Sequence, residues 1–417
     1  MKIAVVEPVG KGGLIHYAFQ LCRALAAEGA EVTLITDRRF ELETLPRRFA
    51  LVQPFSLWDP KPARDEAGAR ARRLRRWGRG VRYLGAWARI ALALRRLHAD
   101  WVLLSDFRFA ADLAGVALLS ASGQRLADVC HNVEPLALAG RAAGGFHSRR
   151  AARAIRAATY RRMARVLVHY ESNRARFLAL YRLPPERVAT IPHGDELLFS
   201  ELADPRLDAA GLRARLGLPA AAPVVLLFGS LSGYKGVDLL LEAFARVAMR
   251  RPDARLVLAG FPTPDFDLEE HRRLAARLGV AERVVWAAGY LPAAEVAAWL
   301  RLAAVAVFPY RVVSQSGALA VAATFGVPVV ASRVGALPEM LEDGAAGLLV
   351  PPGEIEALAA AILELLDDPT RAAALGRRLT EGKTARASWG AVARAVLDAL
   401  EEPAKPDAPV ARAEGLR

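Results

Sequence analysis

The residues that could do chemistry lie where apolar runs stop. At 224–244, VVLLFGSLSGYKGVDLLLEAF, a strand-like run ends at Gly229. Ser230 follows, and Lys235 stands where a helical pattern begins. An ammonium beside unpaired backbone N–H groups at a helix N-terminus suits a diphosphate. A tight turn with a surface lysine fits the same spelling. At 305–335, VAVFPYRVVSQSGALAVAATFGVPVVASRVG, the small polar residues Ser314, Gln315, Ser316 and Gly317 cluster at a helix start. They read either as a cradle for an anion or sugar hydroxyl or as a simple N-cap. His131 closes a strand in Cys130-His131-Asn132, where a neutral imidazole could bond a sugar hydroxyl or a leaving phosphate, or sit satisfied in the core. His193, in Pro192-His193-Gly194, reads as turn chemistry. His16 follows the glycine turn Gly10, Gly12, Gly13 and is open to either role.

These groups need strands and helices to hold them. Lys2–Val6, a glycine turn, a helix over 14–27 and a strand over 31–36 make a βαβ unit, with the turn where a helix N-terminus faces an anion. Further strands are predicted at 101–105, 127–131, 166–170 and 188–191. Helices are predicted at 149–164 and 173–181. The pattern loosens over 195–218 and restarts with strands at 224–228, 256–260, 284–287, 305–309 and 327–331, ending in helices over 355–366, 370–380 and 388–401. Alternating strands and helices imply an α/β chain of two parallel, doubly wound sheets. The expected division is residues 1–200, then 201–387, with a helix at 388–402 packing back on the first domain and a disordered tail at 403–417. Ligands of such sheets bind at the strands' carboxyl ends.

The chain has 417 residues, too many for one ordinary core, with 53% hydrophobic and 24% charged residues, which excludes a disordered protein. Two cysteines, Cys22 and Cys130, lack disulfide-scaffold or zinc spacing. No signal peptide and no transmembrane helix are expected, which points to the reducing cytosol. The net charge of +13 is regional: residues 61–100 and 141–176 each carry +9. Arg70–Arg96 places Trp77, Val81, Leu84, Trp87 or Ala88, Ala91 and Leu94 at helical spacing. It reads as a basic amphipathic helix for an anionic membrane, or as an ordinary bundle helix with a solvated Arg face. The aromatic platforms of a nucleic-acid module are not evident. The absence of GxGxxG and of a P-loop disfavours a nicotinamide enzyme. Asp265-Phe266-Asp267 spells a DxD pair but reads as loop or helix cap.

Taken together, PVGKGGLIHYAFQLCRALAAEGAEVTLIT at the start, VATIPHGDELLF at 188–199, the two segments above and GALPEMLEDGAAGLLVPPGE at 335–354 resemble retaining glycosyltransferase family 4 over roughly residues 1–400. The resemblance implies the GT-B fold, two facing Rossmann-like domains with the site in the cleft. It implies a nucleotide-diphosphate sugar as donor, a glycan or lipid-linked acceptor, no metal and no other cofactor. Lys235 matches the family lysine on the donor diphosphate. Gly12, Gly13, Ser230, Gly317 and Glu339 fall on the donor side, and Tyr290 and Leu291 lie where backbone contacts the base. His131 and His16 fall on the acceptor side, His131 with a catalytic role. Ser-Gln-Ser-Gly occupies the place of the family's phosphate loop, so Ser314, Gln315 and Ser316 are expected on sugar and phosphate. The family's Arg before that lysine is Ser230 here, and its two glutamates fall on Val313 and Val321. A non-catalytic GT-B subunit, or a nucleotide-sugar hydrolase or epimerase, are the rival readings. The expected location is cytoplasmic, peripheral to the membrane.

Overall fold

The structure is a computed structural model that describes residues 1–57, 69–107, 109, 111–133 and 150–402, with backbone alone at 69–76, 150–152 and 383–386. The expected tail at 403–417 and the basic stretch 141–149 lie outside the described residues.

Seven parallel strands form the first sheet: β1 (Lys2–Val6), β2 (Glu31–Asp37), β3 (Ala50–Phe55), β4 (Trp101–Ser105), β5 (Leu126–Cys130), β6 (Arg165–His169) and β7 (Val188–Ile191). Their order is β3-β2-β1-β4-β5-β6-β7. Six form the second: β8 (Val224–Phe228), β9 (Arg255–Gly260), β10 (Val284–Ala288), β11 (Val305–Phe308), β12 (Val329–Ser332) and β13 (Leu348–Val350), in the order β10-β9-β8-β11-β12-β13. A parallel sheet is covered on both faces, so its strands read as continuous apolar runs rather than alternating ones. In β1, Ile3 and Val5 enter one core while Ala4 and Val6 enter the other. The strand order reverses at β1/β4 and at β8/β11, and ligands of such sheets gather outside the strand ends there.

The helix Trp389–Glu401 returns to the first sheet. Val392, Val396 and Leu400 join Ile3, Val5 and Leu25 in one core. Ser388 caps its N-terminus, and the Trp389 indole donates to the Asp195 carbonyl at 2.8 Å. The Arg165 guanidinium donates to the carbonyls of Ala399 (2.8 Å) and Glu402 (2.6 Å).

The structure adds elements to the sequence reading and corrects one of its faces. β3, β13 and the helix Ala111–Ala121 were not foreseen. The basic helix exists, over Ala69–Leu97, but its core face is Tyr83, Ala86, Trp87, Ile90, Ala91 and Leu94. Trp77, Val81 and Leu84 stay exposed. The reason is docking against Ala111–Ala121. Tyr83 OH donates to Asp112 at 2.7 Å, and a Cβ on Gly115 would meet the Trp87 ring at 2.0 Å. Within the second basic cluster, Arg156 and Arg165 are buried.

Candidate active site

Gly229 closes β8 in a left-handed conformation (φ +105°), and a Cβ there would lie 2.9 Å from Lys235 Nζ. Glycine thus leaves room for the lysine, which sits on a single turn, Gly233–Lys235, ahead of the helix Val237–Arg250. Lys235 is buried, with its ammonium nitrogen 5.4 Å from the centre of the Tyr310 ring. No salt bridge holds it among the described residues, and burial alone pulls its pKa down to about 7. Ser230 beside it is exposed. Arg311, which the sequence reading did not single out, donates to Asp238 through two bonds of 2.8 and 2.6 Å. Asp265 clamps the loop, accepting from Gly233 N at 3.2 Å, and Asp267 caps the helix Leu268–Arg277.

Across the cleft, Gly12 (φ +99°) precedes the helix Gly13–Ala27. Glu41 reaches this turn from 29 residues away, accepting from Gly12 N at 2.6 Å, with His16 Nε2 at 2.7 Å. Tyr290 OH, on the loop after β10, donates to the same carboxylate at 2.7 Å and joins the two domains. Burial raises the Glu41 pKa, but His16, Gly12 and Tyr290 outweigh it and hold it at about 2. Glu41 was missed because nothing in its own segment marks it. Leu291 is partly buried against the second domain's core.

The Ser-Gln-Ser-Gly loop follows β11 and meets the loop after β5. Ser314 Oγ accepts from Val133 N at 3.0 Å, and the Gln315 amide lies 3.2 Å from His131 Nδ1. Ser316 caps the helix Gly317–Thr324, accepting from Leu319 N at 3.1 Å. All three side chains are buried. Val313 and Val321 pack in the second domain's core with Leu319 and Leu337. Glu339 also crosses: it accepts from Glu171 N (3.0 Å) and from Ser172 N (3.2 Å) and Oγ (2.9 Å). It thereby caps the helix Glu171–Tyr181, whose own N-cap Tyr170 offers no side-chain bond.

A buried polar cluster positions the His131 loop. Arg156 donates to the Asn132 carbonyl at 2.7 Å and to Tyr160 OH at 2.8 Å. Asn132 donates to Asp106 at 2.6 Å, and Arg156 lies 3.3 Å from the same carboxylate. Asp128 below them is raised well above the carboxylate range by burial and by Asp106. His131 shares its surroundings with Tyr17, His169 and His193. Burial, with His131 beside it, lowers His169 to about 3. A cavity of about 450 Å³ lies at the β6–β7 end of the cleft, away from Lys235, between Tyr170, Thr190 and His193 on one side and Leu319, Ala323 and Met340 on the other.

Two facing Rossmann-like domains, with the loops after β10 and β11 meeting those of the first sheet, define the GT-B class of protein. Solved structures agree. The sucrose-phosphate synthase of Thermosynechococcus elongatus superposes with a TM-score of 0.71 at 22% identity, covering 95% of this chain and 97% of that one. Anabaena Alr3699/HepE in complex with UDP-glucose gives 0.71 at 19%, covering 96% and 99%. These likenesses concern the fold. The model for "Glycosyltransferase Family 4" matches residues 11–195, and that for "Glycosyl transferases group 1" matches 222–368. The chain belongs to the family 4 glycosyltransferases of GT-B fold. A D-inositol 3-phosphate glycosyltransferase of Thermobispora bispora is 34% identical over 235 residues, 54% of this chain and 53% of the relative. A GDP-mannose-dependent alpha-(1-6)-phosphatidylinositol monomannoside mannosyltransferase of Mycolicibacterium smegmatis is 36% identical over 213 residues, 49% of this chain and 53% of the relative. The matched region spans about half the length of these curated relatives.

Proposed function

We propose that the chain is a retaining glycosyltransferase that moves a sugar from a nucleotide-diphosphate sugar to a glycan or lipid-linked acceptor. The observation that carries this reading is Lys235, a buried lysine at a helix N-terminus whose cost of burial no carboxylate among the described residues offsets. A diphosphate arriving there would take up a proton on Lys235 and gain a desolvated cation as its partner. Gly229 supplies the close approach. The relatives' names support both halves of the proposal: one contains GDP-mannose, and both contain an inositol phosphate or its lipid.

In the proposed step the bond from the sugar's anomeric carbon to the phosphate oxygen breaks, and the electron pair stays on the diphosphate. The acceptor oxygen bonds the same carbon on the same face, and its proton passes to the leaving phosphate oxygen. Protonated Lys235 and the N–H groups of the following helix stabilise that leaving group. His131 holds a sugar hydroxyl. No side-chain nucleophile is needed, which is compatible with Val313 and Val321. Neutralisation by Lys235 and the helix dipole makes a metal on the diphosphate unnecessary.

The lipid-linked acceptor has its own support. On the helix Ala69–Leu97, Trp77, Val81, Leu84, Ala88 and Leu92 are exposed, and they recur on one stripe distinct from the core face. Arg82, Arg89 and Arg96 run alongside it, also exposed. This is the pattern of a helix lying on an anionic surface. No described helix is long and apolar enough to cross a membrane. The direct test is binding of UDP, GDP, ADP and their sugars, by thermal shift and calorimetry, to the wild type and Lys235→Ala. One base should bind, with loss in the variant. Failure of every nucleotide to bind folded protein refutes a working donor site and supports a non-catalytic subunit.

A further inference from the structure

Three neighbouring strands each deliver a histidine to the same edge of the first sheet. His131 follows the last residue of β5, His169 ends β6, and His193 lies two residues past β7. The parallel register pairs Cys130 with Val168 and His169 with Ile191, so the three rings come out at one level. Ring centres are 5.1 Å apart for His131–His169, 4.8 Å for His169–His193 and 6.3 Å for His131–His193. One ligand nitrogen of each lies within 4.8 Å of the others, and all three residues are buried.

We propose that His131, His169 and His193 form a binding site for one transition-metal ion of the zinc class, separate from the donor diphosphate. Zinc takes imidazole nitrogens at about 2.0–2.1 Å, and the last fraction of an ångström is within reach of small ring rotations. Three imidazoles select Zn²⁺, Co²⁺, Ni²⁺ or Cu²⁺ over Mg²⁺ or Ca²⁺, which need oxygen ligands. The supporting contacts fit. His169 Nδ1 lies 3.3 Å from the Ile191 carbonyl, which fixes the hydrogen on Nδ1 and leaves a lone pair on Nε2. The Gln315 carboxamide oxygen is buried and has no partner. Turning that amide over lets the oxygen accept from His131 Nδ1–H, the tautomer that carries its lone pair on Nε2. A Glu196 carboxylate oxygen 4.0 Å from His193 Nδ1 adds favourable negative charge. Tyr17 packs edge-on against all three rings, with Trp389 behind it, which holds the trio in place. The interdomain cavity reaches His193 and gives the ion a way in. A bound ion would hold His131 away from a sugar. On the glycosyl-transfer reading above, it is therefore inhibitory.

The test uses full-length protein stripped with chelator and titrated with Co²⁺ and Zn²⁺. The expected result is one equivalent of Co²⁺ with the visible absorption of a low-symmetry nitrogen site, displaced by Zn²⁺. His169→Ala and His193→Gln should each weaken Zn²⁺ binding by about 100-fold or more, while the exposed-site control His98→Ala leaves it unchanged. Circular dichroism checks that each variant is folded, and His193→Gln, similar in size, is the safeguard if His169→Ala does not fold. Absence of the cobalt spectrum, or equal Zn²⁺ affinity in His193→Gln and wild type, overturns the site. If Zn²⁺ binds through the trio but no nucleotide binds, the metal site stands and the transferase reading falls. If Zn²⁺ binds and turnover is unaffected, the inhibitory role is refuted.

Discussion

Replacing Lys235 by methionine should stabilise the protein while abolishing donor binding. The lysine's pKa falls from 10.5 in the unfolded chain to about 7 in the fold, by burial. Below pH 7 both states bind the proton and the full cost of burying the charge is carried. As pH rises from 7 to 10.5 the fold has lost its proton while the unfolded chain has not, so stability climbs. Integrating gives a destabilisation of about 4 kcal/mol at pH 7.5, shrinking to about 1 kcal/mol at pH 10. Methionine has a similar length and no charge, and Tyr310 and Gly229 already provide its surroundings. Urea unfolding at the two pH values measures the difference. Lys235→Met should gain at least about 2 kcal/mol at pH 7.5, a figure discounted for imperfect packing, and the gain should fall at pH 10. Binding supplies a second readout. At pH 7.5 about three-quarters of the lysine is neutral, so nucleotide diphosphate binding to the wild type should take up close to one proton, seen as a buffer-dependent calorimetric enthalpy. A variant that is less stable at pH 7.5, a gain that does not change with pH, or proton-neutral binding by the wild type would each refute the reasoning.

Gln315→Ala should lower turnover about tenfold to a hundredfold by releasing His131, at a stability cost of about 1 kcal/mol; unchanged donor affinity and turnover would remove Gln315 from the site. Arg156→Leu leaves Asp106 buried without its cation and should cost about 3–5 kcal/mol in denaturant unfolding. Glu41 is held at about 2 against an ordinary 4.5, so its stabilising contribution is present above pH 4.5 and is lost as pH falls through 2; Glu41→Gln should flatten the acid limb of the stability curve. Flotation with anionic vesicles should recover the protein at low salt, and Arg82→Gln with Arg89→Gln should weaken association by roughly thirtyfold, at about 1 kcal/mol per charge; salt-insensitive or absent association refutes the surface.

Apolar runs carried most of the fold. Lys2–Val6, Trp101–Ser105, Val188–Ile191 and Val224–Phe228 are strands at the bounds their composition implies. β13 is three residues long and β3 contains Pro54, so neither has a period to read. The helix Ala69–Leu97 was legible as a helix but not as to face, because it carries two apolar stripes and only docking on Gly115 chooses between them. Lys235 was legible as a candidate because its strand, glycine and helix are contiguous. Glu41 was not, since a carboxylate 29 residues from the turn it serves leaves no local mark. The three histidines lie between. Each stands at a visible strand end, but only the adjacency of β5, β6 and β7 brings them together.

The same polar residues that the family resemblance places on the donor here tie one domain to the other. Tyr290 holds Glu41, Ser314 holds the Val133 amide, Gln315 meets His131, and Glu339 caps the helix Glu171–Tyr181. Each such bond is worth about 0.5–1.5 kcal/mol net, and those exposed to solvent less. Their sum favours this arrangement of the domains by a few kcal/mol at most. A donor that takes these groups exchanges one set of hydrogen bonds for another at nearly equal energy. On the proposed reading Lys235 is then the group that should gain, because it is buried with burial alone shifting its pKa and would meet an anion on binding. On the proposed transferase reading, donor affinity should therefore rest on that lysine, while the crossing residues should set how His131 stands toward the sugar.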